Sequence, residues 1–417
     1  MIENFKINSS EIDKFKKISQ KERDYRIKNL NLFNKKGFPN KRIEDWKFSD
    51  MREIVYKNFK KLKIKNANSK IKKINLIKDF DHNYLLIING KLSSSNFKFE
   101  EKSKIKIKTF QNKNFFDNNE NNPLIYLNHA LSNNGYLLEV KDNYKFKKIL
   151  VIYNIFTKDL KENILNSRNE IKVGKNSEVH TIDFVLNESK FKFINNVYEN
   201  IILEKKSKFK NLYIQKNKND GIFHKFLKSN LFSSSEYTNF IFSSGPKFNK
   251  LDIDCDLNEQ HANCNILSAQ FLSNEEHNEI KTRINHLAPN CKSYQRVKNV
   301  LDDNGKGIFQ GKIFVKDIAQ KTDAYQLSKA LLLTSNAEFN SKPELEIYAD
   351  DVKCSHGSTS GSIDQDSIHY LMTRGLSKKD STKLLIKGFL NDVVEFIKSS
   401  SIKNFVEAKL EENINGC

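Results

Sequence analysis

Between about Val173 and Ile347, strand-sized segments alternate apolar and polar residues, with polar turns between them. Val179–Leu186 (VHTIDFVL), Tyr237–Ser243 (YTNFIFS), Cys264–Leu272 (CNILSAQFL) and Gly307–Val315 (GIFQGKIFV) are examples. A period of two puts alternate side chains on opposite faces of a strand. The turns recur at roughly 14 to 17 residues and carry Asn, Ser, Lys or Glu, with almost no helical pattern between them. Strands at that spacing suit a sandwich, a barrel or a solenoid. The loose repeat favours a solenoid of stacked rungs, with a β-sandwich as the alternative.

The flanks read differently. At the N-terminus Ser9 or Ser10 can cap a helical run with Ile12, Phe15, Tyr25, Ile27, Leu30 and Phe33 as its apolar landmarks, and the pattern stops at Gly37 and Pro39. The only tryptophan, Trp46, follows in RIEDWKFSD. Flanked by charges, it suits a binding hot spot or, more commonly, a packing anchor. Further on, Tyr84–Ile88 runs into Asn89-Gly90, a strong turn signal. A short helix is expected around Leu124–Leu131, and strands at Tyr136–Val140 and Ile149–Ile155. After Gly361 helices return. Asp364 or Asp366 caps one that ends at Gly375, and Ser377 with Asp380 starts a second. The apolar stripe there includes Leu385, Ile386, Phe389, Val393, Phe396 and Ile397, and a final helix carries Phe405, Val406 and Leu410. The stripe is wide for one short helix, so Leu385, Phe389, Val393 and Phe396 either pack on the core or dock a partner. The expected organisation is mainly β. It has an N-terminal helical region (1–62), a mixed α/β lead-in (63–172), a β core (173–361) and a C-terminal helical domain (362–417).

Composition narrows the function. With 417 residues and 38% hydrophobic content the chain can build a substantial core. The formal charge of +20 invites nucleic acid, but the lysines are spread along the chain and no nucleic-acid motif accompanies them, so no such partner is expected. The five cysteines, Cys255, Cys264, Cys291, Cys354 and Cys417, form no CxxC pair, and their scatter fits a reducing cytosol. No signal-peptide core or membrane-length apolar run is present, so a cytoplasmic protein with no membrane partner is expected. GxxxxGK[ST], GxGxxG, GxSxG and HExxH motifs are all missing. His261, His277 and His286 either meet on one solenoid face or are separate surface or core residues.

The densest local chemistry lies in Lys342–Gly361, KPELEIYADDVKCSHGSTSG. If Asp350–Ser358 is extended, Cys354 and His356 share a face about 7 Å apart, two strand rises. A thiolate and an imidazole so placed can bind metal or carry persulfide chemistry. A structural cysteine beside a satisfied histidine fits the same residues. Asp350 and Asp351 are adjacent, which places them on opposite faces and weakens a paired-carboxylate mechanism. A β-helix carbohydrate-active enzyme would need separated acids on one face, and none is legible.

ELEIYADDVKCSHGSTSG, followed by SIHYLMTRGLSKKDSTKLLIKGFLNDVVEFI, resembles the C-terminal signature of the SufB/SufD family of iron–sulfur cluster assembly proteins. GKGIFQGKIFVKDIAQKTDAYQLSKALLLTSNAEFNSKPELEI extends the resemblance upstream, and RIEDWKFSD looks like the R-x-E-x-W-K-[YF]-[ST] element of its SufD branch. CSHGST stands where SufB proteins carry an EHEAT-type sequence, and the rung segment KTDAYQLSKALLL lacks their cysteine. The resemblance implies a right-handed parallel β-helix between helical ends. It also implies a non-catalytic scaffold that pairs with SufB through the β-helix and binds the ATPase SufC through its C-terminal helices. A transient Fe–S cluster would form at the subunit interface, with none held stably by this chain alone, and ATP would be bound by SufC. The family's interface histidine maps onto His356, a possible metal ligand shared with the partner, and its neighbouring cysteine onto Cys354.

Overall fold

The computed structural model describes residues 5–16, 18–64, 74–110, 121–215 and 219–414. From Leu150 onward successive strands fall alternately into two sheets, and each strand from Asn163–Val173 on pairs in parallel with the strand two before it, while Leu150–Phe156 pairs in parallel with Asn83–Ile88. The first sheet runs through Asn163–Val173, Ile194–Leu203, Asn219–Leu231, Pro246–Leu257, His277–His286, Lys306–Val315 and Glu338–Ile347. The second runs through Leu150–Phe156, Glu178–Asn187, Lys208–Gln215, Glu236–Ser243, Asn263–Leu272, Lys292–Leu301, Thr322–Leu332 and Val352–Ser362. The fold is therefore mainly β, a solenoid of about 7 turns with helices at both chain ends. The β-sandwich alternative is set aside, because every rung-to-rung pairing is parallel.

The turns explain why the repeat is loose. At one corner of successive rungs Asn176, Lys206, Ser234, His261, Asn290 and Lys321 each adopt positive φ, between 53° and 63°. A side chain pays a steric cost there, least for Asn, and no glycine is spent. Backbone bonds to the next rung hold the corner: Lys206 N–H donates to Ser233 O (2.8 Å) and Asn290 N–H to Gln320 O (2.9 Å). The Asn89-Gly90 turn joins the antiparallel strands Asn83–Ile88 and Lys91–Asn96, with φ of 48° and 82°.

Three apolar layers hold the molecule. The interior is filled by inward residues of both sheets, such as Val179, Phe209, Phe223, Leu251, Ile280 and Phe309. The outer face of the first sheet (Ile164, Ile194, Ile222, Phe248) is covered by the N-terminal segments and the helix Pro123–Leu131. The outer face of the second (Ile182, Leu212, Phe240, Leu267) meets the C-terminal helices through Ile386, Leu390, Val393 and Val394. Among the described residues the N-terminal helical region holds three α-helices, Ser10–Asp13, Gln20–Lys36 and Met51–Asn58, and a 3-10 turn at Glu44–Trp46. Ser10–Asp13 gets no side-chain cap from Ser9, whereas Gln20–Lys36 is capped by Ser19, whose side chain accepts from Glu22 N, and ends at Gly37 with φ 68°.

Trp46 is a packing anchor, fully buried at the end of a short 3-10 turn. Its ring lies over Lys250 Nζ (4.8 Å to the centroid). Lys250 is itself fully buried on the outer face of the first sheet, donates to the Asp45 carbonyl (2.9 Å) and pairs with Glu279 and Asp252. Glu279 also accepts from Ser49 Oγ and from Gln310 Nε2 (2.6 Å). Asp45 bonds Lys281 (2.6 Å), and Glu44 pairs with Lys342. RIEDWKFSD thus clamps the N-terminal region across several rungs. Burial opposes ionisation of Asp252, but Lys250 and a hydrogen bond from His224 outweigh it and hold its carboxyl well below the usual range. A depressed folded-state pKa contributes stability that is fully present above the unfolded value, about 3.9, and is lost as pH falls below it. Acid titration followed by the fluorescence of Trp46, the only tryptophan, is expected to show the clamp loosening below about pH 4. Asp252→Asn should flatten that part of the profile.

Candidate functional site

The solenoid ends on two edge strands. Glu338–Ile347 and Val352–Ser362 are the last members of their sheets, and each pairs on one side only. Parallel register stacks Cys354 on Ala324, His356 on Gln326 and Ser358 on Ser328. Ala324 lies in an apolar cluster with Ile313, Val315, Ala319 and Ala349, against which Leu345, Val352 and Cys354 are partly buried. Gln326 is fully buried, and Ser328 Oγ bonds both Ser341 Oγ (2.8 Å) and Ser358 Oγ (3.0 Å). Cys354, His356 and Ser358 therefore continue the inward-facing column of the second sheet, at the rung that nothing covers among the described residues.

Cys354 is half-buried and His356 exposed. Burial pushes the Cys354 thiol up, partly offset by the backbone of Ala324. The resting group is a thiol, and a metal ion or cationic partner arriving at the open end would favour the thiolate. Extension begins at Val352, so Asp350 and Asp351 belong to the preceding turn. There the Asp351 carbonyl accepts from Lys321 N (2.6 Å) and its N–H donates to Gln320 Oε1 (2.9 Å). Both acids shape the turn. Among the described residues no three His, Cys, Asp or Glu side chains converge as a metal-binding group.

The other sequence candidates separate. His286 is fully buried in the interior against Ser293 Oγ (2.9 Å), and burial lowers its pKa to about 3. His277 sits under the N-terminal clamp beside Ser49 Oγ (2.9 Å), lowered to about 3 by burial and then by Lys306 and Lys250. His261 is exposed at a turn. Cys255, Cys264 and Cys291 are buried, and Cys417 lies outside the described residues.

On the C-terminal helices Val393 is 0% exposed, and Phe389 is partly buried on the same sheet-facing side, its ring under Lys298 Nζ (4.6 Å). Leu385 is half-buried. Phe396 is 44% exposed and stacks near Tyr294 (6.0 Å between centroids). The exposed apolar residues of Gln365–Thr373, Lys378–Val394 and the turn between them are Tyr370, Met372, Leu376 and Leu384. Sequence periodicity singled out Met372 as part of an apolar helix face but not Tyr370, Leu376 or Leu384, which lie outside the stripe of Leu385, Ile386, Phe389, Val393, Phe396 and Ile397. The edge strands add exposed Ile347 and Tyr348 at the open end.

Residues 155–389 match the family model described as the SUF system FeS cluster assembly, SufBD core domain. The chain belongs to the SufB/SufD family. It is 26% identical over 391 residues to the iron–sulfur cluster assembly protein SufD of Escherichia coli, covering 91% of this chain and 90% of that protein. It is 28% identical over 211 residues to a SufBD family protein of Synechocystis, covering 51% and 47% of the two chains. The SufD of Bacillus subtilis is 30% identical over 140 residues, 34% and 32% of the two chains. This SufB/SufD-family chain is thus a component of iron–sulfur cluster assembly. Its family match takes in the rungs from Phe156, the uncapped end and most of the helix Lys378–Val394. No helix among the described residues is long and apolar enough to cross a membrane.

Proposed function

We propose that this chain is the non-ATPase scaffold half of a SUF assembly complex. Its open solenoid end pairs with a SufB-type partner and presents Cys354 and His356 to a cluster built between the two chains. A SufC-type ATPase docks on the C-terminal helices. The observation that carries the reading is the uncovered last rung. It offers an imidazole and a thiol on the inward face, where a second solenoid end would close over them. Unpaired edge strands with exposed Ile347 and Tyr348 are suited to such closure. Neutral imidazole and thiolate are competent iron ligands, and a site shared between chains needs only part of its ligand set on each. Within this reading the docking surface is the outward Tyr370, Met372, Leu376 and Leu384, since Val393 and Phe389 are spent on the sheet.

Reconstitution of the complex with His356→Ala tests the ligand role. Assembly is expected to survive, because His356 is exposed and buries no core. Iron and sulfide retained per complex should fall at least about tenfold, the scale of losing one good ligand interaction. Undiminished loading on an intact complex would instead favour a purely structural interaction module. The raised Cys354 thiol is the observation on that side.

A further inference from the structure

The outer face of the second sheet carries a groove that neither the cluster chemistry nor the ATPase surface uses. Its volume is about 660 Å³, within the ~300–1,000 Å³ usual for small-ligand sites. It opens where the sheet emerges from under the C-terminal helices. Two ladders of register-paired residues form its floor. One is apolar: Leu212, Phe240 and Leu267 on consecutive rungs. The other is polar: His180, Lys210, Thr238 and Asn265, ending at Tyr294. The connector between the last two helices and the first turn of the last helix make the wall, with Phe396, Ile397 and Ile402 apolar and Lys398 at the rim.

Basic side chains outnumber acidic ones in the groove lining, with His180, Lys210 and Lys398 against Glu236. Glu236 is taken by Lys208 (3.1 Å), and His180 is bonded to Glu178 (2.8 Å). Lys210 has His180 and Thr238 as register neighbours, neither of them acidic. Lys210 helps to lower the Glu178 carboxyl from a distance, and among the described residues neither it nor Lys398 is in a close ion pair. An apolar trough with two ammonium groups at its lip, neither in a close ion pair, complements a ligand with an apolar tail and a single anionic head. We propose that this groove binds a fatty-acid-type carboxylate, its alkyl chain along Leu212, Phe240 and Leu267 and its head group between Lys210 and Lys398. Phe396 then has a role apart from the helix core: it is the exposed wall that an alkyl chain would cover, and its stacking near Tyr294 holds that wall upright. The site lies on the solenoid's flank and is independent of the reading of Cys354 and His356.

The test is a titration of the full chain with dodecanoate, by calorimetry and by displacement of anilinonaphthalene sulfonate, with dodecanol as the uncharged control. Saturable one-to-one binding of dodecanoate is expected. The double variant Lys210→Glu/Lys398→Glu alters only exposed or half-exposed positions and should weaken dodecanoate at least about tenfold while leaving dodecanol unchanged. Thr238→Trp fills the trough and should abolish both, with its melting curve checked against the parent. If Thr238→Trp does not fold, the charge-reversed variant decides alone. No binding of dodecanoate to the parent chain, or equal binding to parent and charge-reversed chains, would overturn the proposal. So would preferential binding of an acidic amphipathic peptide at the same groove.

Discussion

Lys250→Ala is expected to destabilise the chain by about 3–5 kcal/mol, the usual cost of removing one partner from a buried ion pair. Lys250 and Glu279 are both fully buried, and the ammonium is the only cation within bonding distance of Glu279 among the described residues. Without it Glu279 keeps Ser49 and Gln310 as donors but loses its neutralising charge. Trp46 also loses the cation beneath its ring, and the Asp45 carbonyl its donor. The loss therefore falls on both sides of the contact between N-terminal region and solenoid. Chemical denaturation of the purified chain measures it, with Trp46 fluorescence as a local probe. Lys250→Met/Glu279→Leu should recover part of the loss, since it removes the orphaned charge of Glu279 but leaves buried Asp252 without its lysine. Recovery should be incomplete, because Ser49 and Gln310 then lose their acceptor. A Lys250→Ala chain as stable as the parent would mean that the clamp contributes nothing.

That clamp also shows where sequence reading stops. The rung rhythm was legible because inward Val, Phe and Ile alternate with outward polar residues, as in Val179–Leu186 and Gly307–Val315. The strands Asn219–Leu231 and Pro246–Leu257 escaped because they bury charge on both faces. Lys225 points into the interior, bonded to Asp183 (2.8 Å) and Glu199 (2.9 Å), and Lys250 and Asp252 lie buried outside under Trp46. A lysine in the apolar phase of an alternation erases the signal that a strand finder uses, and its partners sit about 25–45 residues away on other rungs. Cys354 and His356 were legible as sharing a face, since extension alone dictates it. That this face continues the interior column at an uncovered end was not, because it depends on which sheet the last strand joins. The helix candidates illustrate a third limit: periodicity tells an apolar side from a polar one, but not which apolar side the sheet takes.

If a SufC-type ATPase docks as proposed, Tyr370→Glu combined with Leu384→Glu is expected to abolish that docking while leaving the fold intact. Tyr370 is 58% exposed and Leu384 49%, so neither contributes much to the helical core, and surface changes of this kind usually stay within about 0.5 kcal/mol. At an interface the same residues would be apolar anchors, and burying a carboxylate against an apolar partner surface costs far more than the lost contact. Val393→Asp is the opposing control. Val393 is fully buried among Ile386, Leu390 and the sheet residues Phe240 and Leu267, so an aspartate there should detach the helices and cost several kcal/mol. Loss of docking with Val393→Asp would then be accompanied by a lowered melting temperature. Loss with the Tyr370/Leu384 variant would not. Co-purification of the ATPase, read beside thermal melts of the free chain, separates the two. If the Tyr370/Leu384 variant still carries the ATPase at full stoichiometry, the outward face of these helices is not the docking surface. The solvent-side apolar residues of this region would then need another partner to explain them.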